Sequence, residues 1–558
     1  MVVHKPLLSF LCNDGFFHRL KIFRTATQNL IMGGLRSYYS LTPDSEVPEM
    51  GEFMGFMETL KNYERLGVPT GAGTDSEYGF DLGRMRRLLH RLGDPHLKFK
   101  AIHIAGTKGK GSTAAFISNI LRKEGYSVGC YTSPHLWTLR ERISVGRKDE
   151  PVSAGDLKNL LSDVRNILNL SLELEQGFLT HFEVLTALAF TLFAQENVDI
   201  AVVEAGLGGA RDATNVICSS KLAVSIITNI GEEHMAALGG SLESIAIAKS
   251  GIIKQGCPVV IGGPFQPHVE HIIRQKAFSE NSPVLSATDP RIHAILKGFQ
   301  GHTDKPYQSC DILIHLEDLQ MFIELFNMRL HMLGHHQLQN AVTATCSALC
   351  LRNREWRISD ESIRAGLEHT YLVGRCQFLT CTEVELLGLS GVSVLIDGAH
   401  TEASAECLTK TIRMVYAKAS VALVVAMASD KDHVSFAMKM LSGMQPVVVI
   451  LTEASIAGGN TRVTPSSLLK EAWVSAAQKL AINYYDVDMG NHNDVHYLHR
   501  NLREINEPNL LIGCGVGSVK ASLKMTCSIV KERGKEEPFL IAVTGSLHIV
   551  SVVLSSLT

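Results

Sequence analysis

The sequence predicts an α/β protein in which a large domain with a mainly parallel, doubly wound sheet precedes a smaller C-terminal α/β domain. Short hydrophobic strands alternate with helical segments through most of the chain, which is typical of parallel sheets. One strand runs directly into the glycine-rich turn Gly106–Thr113, and a second series of strands without such a turn begins near Gly374. A chain of 558 residues is also too long for one compact core.

The first series of strands and helices lies between Phe80 and Ile261. Helical periodicity covers Phe80–Leu92 and Phe182–Gln195, and a third helix follows the glycine-rich turn to about Lys123. Because short hydrophobic runs are typical of strands buried on both faces, we expect these runs to form one sheet. They are Ala101–Ala105, Ser127–Thr132, Ile200–Glu204, Leu222–Asn229 and Pro258–Ile261.

The second series predicts the smaller domain. Its most hydrophobic stretch, Phe539–Leu554, is shorter than a membrane span and contains Thr544 and His548, so it is predicted as a strand, a turn and a helix. No membrane association is expected. We expect a leader at residues 1–43, the large domain at 44–372 and the C-terminal domain at 373–558. The other strands predicted in this half are Val392–Asp397, Ser420–Met427, Val447–Leu451 and Asn509–Gly513.

The composition excludes several classes of protein. Hydrophobic residues make up 45% and charged residues 20% of the chain, which excludes a disordered, collagen-like or coiled-coil protein. A formal net charge of −3 argues against a polycation that coats nucleic acid, so no nucleic-acid partner is expected. The 12 cysteines are too few for a disulfide scaffold and lack zinc-site spacing, so we expect reduced, buried thiols.

Residues 1–43 differ from the rest of the chain in charge. They contain five Lys or Arg residues and a single acid, Asp14, whereas the remainder of the chain is acidic. Phe16, Leu20 and Phe23 are spaced as on one face of a helix. An arginine-rich, acid-poor amphipathic start is typical of an organelle transit peptide, and a mitochondrial address is favoured over a chloroplast or cytosolic one. An untargeted tail is the alternative.

The turn Gly106–Thr113 (GTKGKGST) is the strongest local indication of function. Glycines allow backbone N–H groups to approach phosphate oxygens, and the N-terminus of the following helix adds partial positive charge. Lys110 supplies a cation for the outer phosphates of a nucleotide. Gly111 stands where the standard nucleotide loop has Ser or Thr, so the match to that motif is incomplete. A purely structural turn is the alternative, but the position directly after a strand favours nucleotide binding.

Polar residues follow three other predicted strands. Ser133, Glu204 and His234 each stand at or just beyond the end of a strand. Because the carboxyl ends of parallel strands share one edge of a sheet, we expect these side chains to converge beside the phosphate loop. An acid at such a strand end suits Mg²⁺. Taken singly, a hydroxyl at a strand end is more often a cap, and a lone histidine is usually a satisfied polar residue.

Together these motifs resemble the folylpolyglutamate synthase/dihydrofolate synthase family, whose members are Mur-ligase-like ATP-dependent amide ligases. The resemblance extends from about Phe80 to Ser546, and the motifs occur in the family's order. It implies a Mur-ligase-like ATPase domain followed by the smaller α/β domain. The segments that carry the resemblance are Gly106–Ser112, Ser133–His135, Glu204–Asn215, His234, Lys249 and Asp397–His400.

For the nucleotide and the metal, the resemblance implies specific residues. ATP would be held at the phosphate loop and reached from the second domain, with Mg²⁺ beside its phosphates, and a monovalent cation is also allowed. The metal ligands would be Ser133, Glu204 and His234. The nucleotide-binding residues would be Gly109, Lys110, Gly111, Ser112, Asn340, Arg375 and Asp397.

For the reaction, the resemblance implies catalytic roles for Lys110, Lys249 and His400. Lys249 matches a lysine that bacterial relatives carbamylate, and a carbamate, unlike an ammonium group, can ligate a cation. An ordinary surface lysine is the alternative at this position. His400 and Ser546 stand where relatives contact the incoming glutamate.

Two positions depart from the family's pattern. Arg211 lies one place later than the arginine of the family's GLGGRxDATN motif, which leaves its role in doubt. Glu233 replaces the aspartate that usually precedes the metal-binding histidine. Neither change removes an expected Mg²⁺ ligand.

The resemblance predicts amide formation through an acyl phosphate. A carboxylate is a poor electrophile, so ATP would first phosphorylate it, and the amine of L-glutamate would then attack. The acyl phosphate must be kept from water, so we expect the second domain to close over the site. Small molecules are the expected partners, and the chain is expected to be a monomer.

Members of the family use two kinds of acceptor: some join glutamate to 7,8-dihydropteroate, and others extend a folate such as tetrahydrofolate. The pair Phe182-Glu183 differs from the Phe-Arg of eukaryotic members that extend folates. Dihydropteroate is therefore the predicted acceptor, with a folate, or both, as the alternative. A small-molecule kinase and a nucleotide-binding regulator are two further alternatives. The stretches most similar to plant members that use dihydropteroate are Thr180–Ala187, Met332–Asn340 and Val425–His433.

Overall fold

Two seven-stranded sheets and one three-stranded sheet organise the chain in the structure, which is a computed structural model. The predicted leader, residues 1–43, lies outside the described residues. The structure describes residues 47–75, 79–300, 306–417, 419–455, 462–487, 510–515, 517–533 and 539–557.

The first sheet is formed by β1 (Lys100–Ala105), β2 (Val128–Tyr131), β3 (Ile143–Ser144), β4 (Ile200–Glu204), β5 (Leu222–Ile227), β6 (Val259–Ile261) and β7 (Val284–Ser286). Their spatial order is β3-β2-β4-β1-β5-β6-β7, and every neighbouring pair is parallel except β2 with β3. Because β1 lies between β4 and β5, the glycine-rich turn that follows it is central on the carboxyl edge. This arrangement confirms the doubly wound, mainly parallel sheet.

Helices cover both faces of the first sheet. Ile102 and Ile104 enter one hydrophobic cluster with Phe116, whereas Ala101 enters another with Phe190 on the opposite face. The alternation follows from the two-residue period of a strand. The helices of this part are α1 (Gly51–Glu58), α2 (Tyr63–Leu66), α3 (Leu82–Arg91), α4 (Lys110–Glu124), α5 (Ala154–Leu174), α6 (His181–Gln195), α7 (Leu242–Ser250) and α8 (Pro267–Ser279).

An antiparallel three-stranded sheet follows, which the sequence analysis did not predict. It consists of β8 (Ile292–Gln300), β9 (Tyr307–Leu316) and β10 (Met321–Leu330). Side chains on its inner face, such as Ile312 and Ile323, join the hydrophobic cluster that contains Ile102. Helices α9 (His335–Arg352) and α10 (Asp360–His369) complete this part of the chain.

The second seven-stranded sheet has the order β11-β12-β17-β13-β14-β16-β15 and is parallel except for β11 with β12. Its strands are β11 (Gln377–Phe378), β12 (Ser393–Ile396), β13 (Ser420–Val425), β14 (Val448–Leu451), β15 (Tyr484–Val487), β16 (Leu510–Cys514) and β17 (Phe539–Thr544). Its helices are α11 (Cys381–Leu386), α12 (Glu402–Val415), α13 (His433–Met444), α14 (Ser466–Lys479), α15 (Val519–Arg533) and α16 (Leu547–Ser555).

Most predicted elements are confirmed, with ends that shift by one or two residues. The stretch Phe539–Leu554 is the strand β17 followed by the helix α16, and among the described residues no helix is both long and apolar enough to cross a membrane. The cysteines in the described residues are free thiols. Four short strands, β3, β7, β11 and β15, were not predicted. The residue limits of the two domains stay predictions.

Candidate active site

A cleft of about 2320 Å³ runs between the carboxyl edges of the two large sheets. The first domain lines it with residues that include Lys110 and Glu204, and the second domain lines it with residues that include Asp397 and His400. Carboxyl edges of parallel sheets are the usual place for ligands in α/β proteins. The cleft is therefore the candidate active site.

The glycine-rich turn, which is the predicted phosphate loop, lines this cleft. Gly109 has a φ of +85° and is the residue before α4, and a Cβ there would lie 2.4 Å from Asn340 Oδ1. Both the backbone conformation and the contact require glycine. The Thr228 hydroxyl donates to the carbonyl of Lys108 over 2.7 Å, which ties the loop to the end of β5. The first backbone N–H groups of α4 are left to bind an anion.

Lys110 and Glu204 face each other at the start of α4 and the end of β4. Lys110 Nζ lies 3.7 Å from Glu204 Oε1, and the backbone N–H of Ser133 donates to Glu204 Oε2 over 3.2 Å. Burial raises the pKa of the Glu204 carboxyl, and the Lys110 cation partly offsets this. The register pairs Ile104 of β1 with Glu204 of β4, so the acid is held directly beside the loop.

The predicted metal ligands stand at or beyond the ends of strands β2, β4 and β5, all in the first sheet. Ser133 follows β2, Glu204 ends β4, and His234 follows β5 with a φ of +55°. His234 is exposed at the surface of the cleft, but the surrounding walls limit the water around its ring. This desolvation lowers the pKa of His234 to about 4, so the ring is neutral at pH 7. Within the described ranges, no group of three or more His, Cys, Asp or Glu side chains is placed to hold a metal. The donors here are instead one carboxylate, one hydroxyl and one neutral ring.

Glu233 joins the phosphate loop to the second domain, which sequence reasoning did not predict. Its Oε1 accepts from Lys108 Nζ over 2.7 Å and lies 3.7 Å from His400 Nε2. Although burial alone would raise the pKa of Glu233, the nearby His400 ring and the Lys108 cation lower it, so the carboxylate stays charged. The sequence marked Glu233 only as a departure from the family's aspartate.

Lys249 is buried beneath the phosphate loop, which excludes the surface alternative. Lys249 is 5% exposed, and its Nζ donates to the carbonyl of Gly106 over 2.8 Å. Desolvation by burial, together with the nearby Lys110 cation, lowers the pKa of Lys249 to about 7. Near pH 7, Lys249 is therefore an uncharged amine in about half of the molecules.

Asp397, Arg375 and His400 form the opposite wall of the cleft. Backbone N–H groups of Cys376 and Ala399 each donate to the Asp397 carboxylate over 2.8 Å. Burial raises the pKa of Asp397, and the Arg375 guanidinium partly offsets the effect. His400 Nδ1 lies 2.8 Å from the carbonyl of Gly398, so its other ring nitrogen faces the cleft.

Two other predicted site residues have clear local contacts. Asn340 Nδ2 donates to Gln337 Oε1 over 2.9 Å, and its Oδ1 touches the phosphate loop at Gly109. The Ser546 hydroxyl accepts the backbone N–H of Ile549 over 3.2 Å and caps α16. The residues of this region that line the cleft are its neighbours Leu547 and His548, so contact between Ser546 and a substrate stays a prediction.

The displaced arginine of the glycine-rich motif points toward an acid on the rim. Arg211 Nε lies 2.7 Å from Asp75 Oδ1. The adjacent Asp212 is buried and accepts from the backbone N–H of Leu207 over 2.8 Å and from the Thr214 hydroxyl over 2.5 Å. The Asp212 carboxylate thus fixes the shape of this loop.

An ion pair between the buried Arg142 and Glu64 lies on the wall of the cleft, and no sequence pattern indicated it. Arg142, whose side chain is 1% exposed, donates Nη1 to Glu64 Oε1 over 2.8 Å and Nε to His135 Nδ1 over 2.9 Å. Burial and the Arg142 cation lower the pKa of His135 to about 3, so its ring is neutral. Glu64 precedes Arg142 by 78 residues, so no local spacing could reveal the pair.

Comparisons with known proteins identify the family. A family model for the Mur ligase middle domain matches residues 104–348. A dihydrofolate synthase/folylpolyglutamate synthase from Bacillus subtilis is 35% identical over 357 residues, which cover 63% of this chain and 76% of that protein. The chain belongs to this family. It is accordingly an ATP-dependent acid–amino-acid ligase.

The alignments with two eukaryotic relatives cover different shares of those two proteins. A probable dihydrofolate synthetase from Schizosaccharomyces pombe is 32% identical over 385 residues, 68% of this chain and 83% of that protein. Human mitochondrial folylpolyglutamate synthase is 31% identical over 347 residues, 57% of this chain and 51% of that protein.

Solved structures of family members have the same fold. Folylpolyglutamate synthase from Thermotoga maritima has a TM-score of 0.65 and is 28% identical, covering 91% of this chain and 96% of that one. A complex of folylpolyglutamate synthase with AMPPCP and folate has a TM-score of 0.64 and is 25% identical, covering 91% and 98%. The Mur-ligase-like fold class is thereby confirmed.

Proposed function

We propose that this chain joins L-glutamate to 7,8-dihydropteroate, giving dihydrofolate, ADP and phosphate. The observation that carries the proposal is the single cleft in which Lys110 and Glu204 of one domain face Asp397 and His400 of the other. A ligase of this kind needs ATP, an acceptor carboxylate and an amino acid to meet where water is excluded.

Relatives of both kinds align with this chain, and a bacterial folylpolyglutamate synthase aligns over 89% of its length. The support for dihydropteroate comes from the eukaryotic relatives. The yeast protein named a probable dihydrofolate synthetase aligns over 83% of its length, whereas human folylpolyglutamate synthase aligns over 51%. Extension of a folate such as tetrahydrofolate is the alternative. Use of both acceptors is a third, since the name of the Bacillus relative joins the two activities.

The first step would transfer the γ-phosphoryl group of ATP to the acceptor carboxylate. A carboxylate oxygen bonds to phosphorus while the bond from phosphorus to the ADP oxygen breaks, which leaves an acyl phosphate and ADP. Lys110 would neutralise charge on the transferring group, and the backbone N–H groups of Gly109, Gly111 and Ser112 would orient the phosphates. Asn340 would contact the adenine side.

The second step would form the amide. The uncharged glutamate nitrogen would attack the acyl carbon, the bond from that carbon to the phosphate oxygen would break, and the proton lost by the nitrogen would pass to the departing phosphate. We assign His400 and Ser546 to the glutamate, because His400 lines the cleft beside Glu233 and Ser546 adjoins the lining residue Leu547. Arg375 and Asp397 would reach the nucleotide from the second domain.

The donor set beside the phosphate loop fits Mg²⁺. Mg²⁺ commonly takes one or two protein oxygens together with phosphates and water, and Glu204 and Ser133 offer such oxygens. The neutral ring of His234 offers a lone pair as a third ligand. When bound, Mg²⁺ would neutralise negative charge on the β- and γ-phosphates.

Lys249 is proposed to be carbamylated. Its lowered pKa leaves an uncharged amine that can react with CO₂, and the carbamate would carry anionic oxygens beneath the phosphate loop. A monovalent cation is proposed as a second ion without assigned ligands.

We also propose that residues 1–43 direct the chain to the mitochondrial matrix, because they are basic and arginine-rich. The human relative is itself named mitochondrial. We propose in addition that the boundary between the two domains lies near residue 372 and that the chain is a monomer. Imaging of a fluorescent fusion with and without residues 1–43 tests the address, and a cytosolic signal from both fusions would contradict it.

One assay tests the reaction and the acceptor together. Protein lacking residues 1–40 is given ATP, Mg²⁺ and glutamate with either dihydropteroate or tetrahydrofolate, and ADP and product mass are recorded. Dihydropteroate that gains one glutamate while tetrahydrofolate stays unchanged supports the proposal. Extension of tetrahydrofolate alone contradicts it and makes the chain a folate-extending enzyme. ADP release without glutamate, together with a phosphorylated product, indicates a kinase instead.

A further inference from the structure

One side chain of the second domain is bonded to the backbone of the first domain at the wall of the cleft. Arg462 Nη1 donates to the carbonyl oxygen of Glu64 over 2.8 Å, across 398 positions of the chain. Both residues line the cleft. Glu64 lies in α2 of the first domain, so the bond crosses the interface between the domains.

Arg462 is held in place from its own side of the interface. Its Nη2 donates to Asp430 Oδ1 over 3.2 Å, and its carbonyl accepts the backbone N–H of Ser429 over 2.9 Å. The next residue, Val463, forms a bridge with Ala428 beyond the end of β13. The guanidinium is therefore oriented toward the first domain by an acid and by strand-like pairing.

Glu64 is held just as firmly on the first-domain side. Its carboxylate accepts two hydrogen bonds from the buried Arg142, whose Nε bonds to His135. The bonds therefore run in series from Arg462 to the segment that follows Ser133. At the end of that segment, Leu136 packs into the second domain, 3.1 Å from the position of a Cβ on Gly374.

We propose that Arg462 is a positioning residue that keeps the cleft closed on the side of Glu64 while the acyl phosphate exists. The inference rests on the proposed ligase reaction. Another contact between the domains, from His400 to Glu233, lies at the phosphate loop. Loss of the Arg462 bond would thus loosen one side of the closed cleft and leave the ATP side in place.

A loosened cleft has a specific chemical consequence. Water that reaches the acyl phosphate attacks its acyl carbon, breaks the bond to the phosphate oxygen, and regenerates the acceptor carboxylate and free phosphate. ATP is then consumed without amide formation. The ratio of ADP released to amide formed therefore reports closure, and a purely structural role of Arg462 would leave this ratio at one.

The test compares Arg462→Ala and Arg462→Lys with the wild-type chain. Lysine keeps the charge but cannot bond to Asp430 and to the Glu64 carbonyl with two nitrogens at once. The matched control is Arg413→Ala, because Arg413 donates to the carbonyl of Ser442 within the second domain. For each protein we would measure ADP, amide, and the KM values for ATP, acceptor and glutamate.

We expect Arg462→Ala to raise the ratio of ADP to amide well above one and to raise the acceptor KM roughly threefold to tenfold. Its KM for ATP should stay within about twofold, Arg462→Lys should be intermediate, and Arg413→Ala should match the wild type. A ratio of one with unchanged KM values in folded Arg462→Ala would overturn the proposal.

A scattering measurement distinguishes failure of the closure proposal from failure of the proposed ligase reaction. Small-angle X-ray scattering with AMPPCP should give a larger radius of gyration for Arg462→Ala than for the wild type, whether or not dihydropteroate is the acceptor. Equal radii would overturn the closure proposal even if the acceptor assay fails. If the alanine variant does not fold, the ratio and the radius measured with Arg462→Lys decide.

Discussion

Gly111 lies against the carboxylate of Glu204: a Cβ added to Gly111 would be 3.5 Å from Glu204 Oε2. Other phosphate loops have Ser or Thr at this position. Here the absence of a side chain leaves space between the start of α4 and the acid at the end of β4. The residue with a hydroxyl that contacts the acid is instead Ser133, through its backbone N–H.

We expect Gly111→Ala to separate stability from activity. The residue is in the first turn of α4 with no clash below 3.5 Å, so alanine should raise the free energy of unfolding by about 0.5 kcal/mol. The added methyl group narrows the space in front of Glu204, so kcat/KM should fall at least about tenfold. Urea unfolding and ligation assays measure the two effects.

The matched variant is Gly109→Ala, where φ is +85° and a Cβ would lie 2.4 Å from Asn340 Oδ1. This change should lower both stability and activity. Wild-type kcat/KM in Gly111→Ala would show that the space beside Glu204 is not used by the reaction.

Lys110→Ala tests the phosphate loop. Its ammonium group lies 3.7 Å from Glu204 and is the cation assigned to the transferring phosphoryl group, so kcat should fall by at least about a thousandfold. Lys158→Ala on the exposed face of α5 is the control and should leave kcat unchanged. Retention of full ligase activity by folded Lys110→Ala would refute the assignment of the site.

The placement of Ser133, Glu204 and His234 along one edge of the sheet, where all three line the cleft, could be predicted because it depends only on strand ends. Strands β2, β4, β1 and β5 are neighbours, so whatever follows each of them is placed at one edge. The hydrophobic runs and the glycine-rich turn are local signals, and local signals determine this part of the site.

The contacts of Glu64 could not be predicted in the same way. Its partners are Arg142 and Arg462, which come from distant segments and have no characteristic spacing relative to it. The three-stranded sheet was also missed: β8 is largely exposed and lacks the hydrophobic run of a buried strand, whereas the alternation along β10 is a local signal that was overlooked. For Ser546 a sequence motif was available and indicated contact with glutamate. In the structure, the Ser546 hydroxyl caps α16, a contact that the motif did not indicate.

Activity should respond to CO₂ through Lys249. Because the pKa of this buried amine is about 7, the uncharged form that reacts with CO₂ grows as pH rises through 7. We expect added bicarbonate to stimulate ligation more at pH 8 than at pH 6. Lys249→Ala should lose activity and the response to bicarbonate, and formate or acetate should restore part of the activity. A bicarbonate response that survives in Lys249→Ala would place its origin elsewhere.

The ion pair of Glu64 with Arg142 should make stability depend on pH. The pairing lowers the pKa of Glu64 below its ordinary 4.5 although burial alone would raise it. The folded state then binds fewer protons than the unfolded state, so this stabilisation is present above pH 4.5 and is lost as pH falls through the folded-state pKa.

We expect Glu64→Gln to lower the free energy of unfolding at pH 7 by about 2 kcal/mol. This is less than for a fully buried pair because the Glu64 side chain is 41% exposed. The difference from the wild type should shrink below pH 4.5, as urea unfolding at several pH values would show. Glu52→Gln, which breaks an exposed pair with Arg165, is the control and should cost less than about 0.5 kcal/mol. An equal loss of stability in Glu64→Gln at every pH would mean that the amide disturbs packing, and that the charge on Glu64 does not stabilise the buried Arg142.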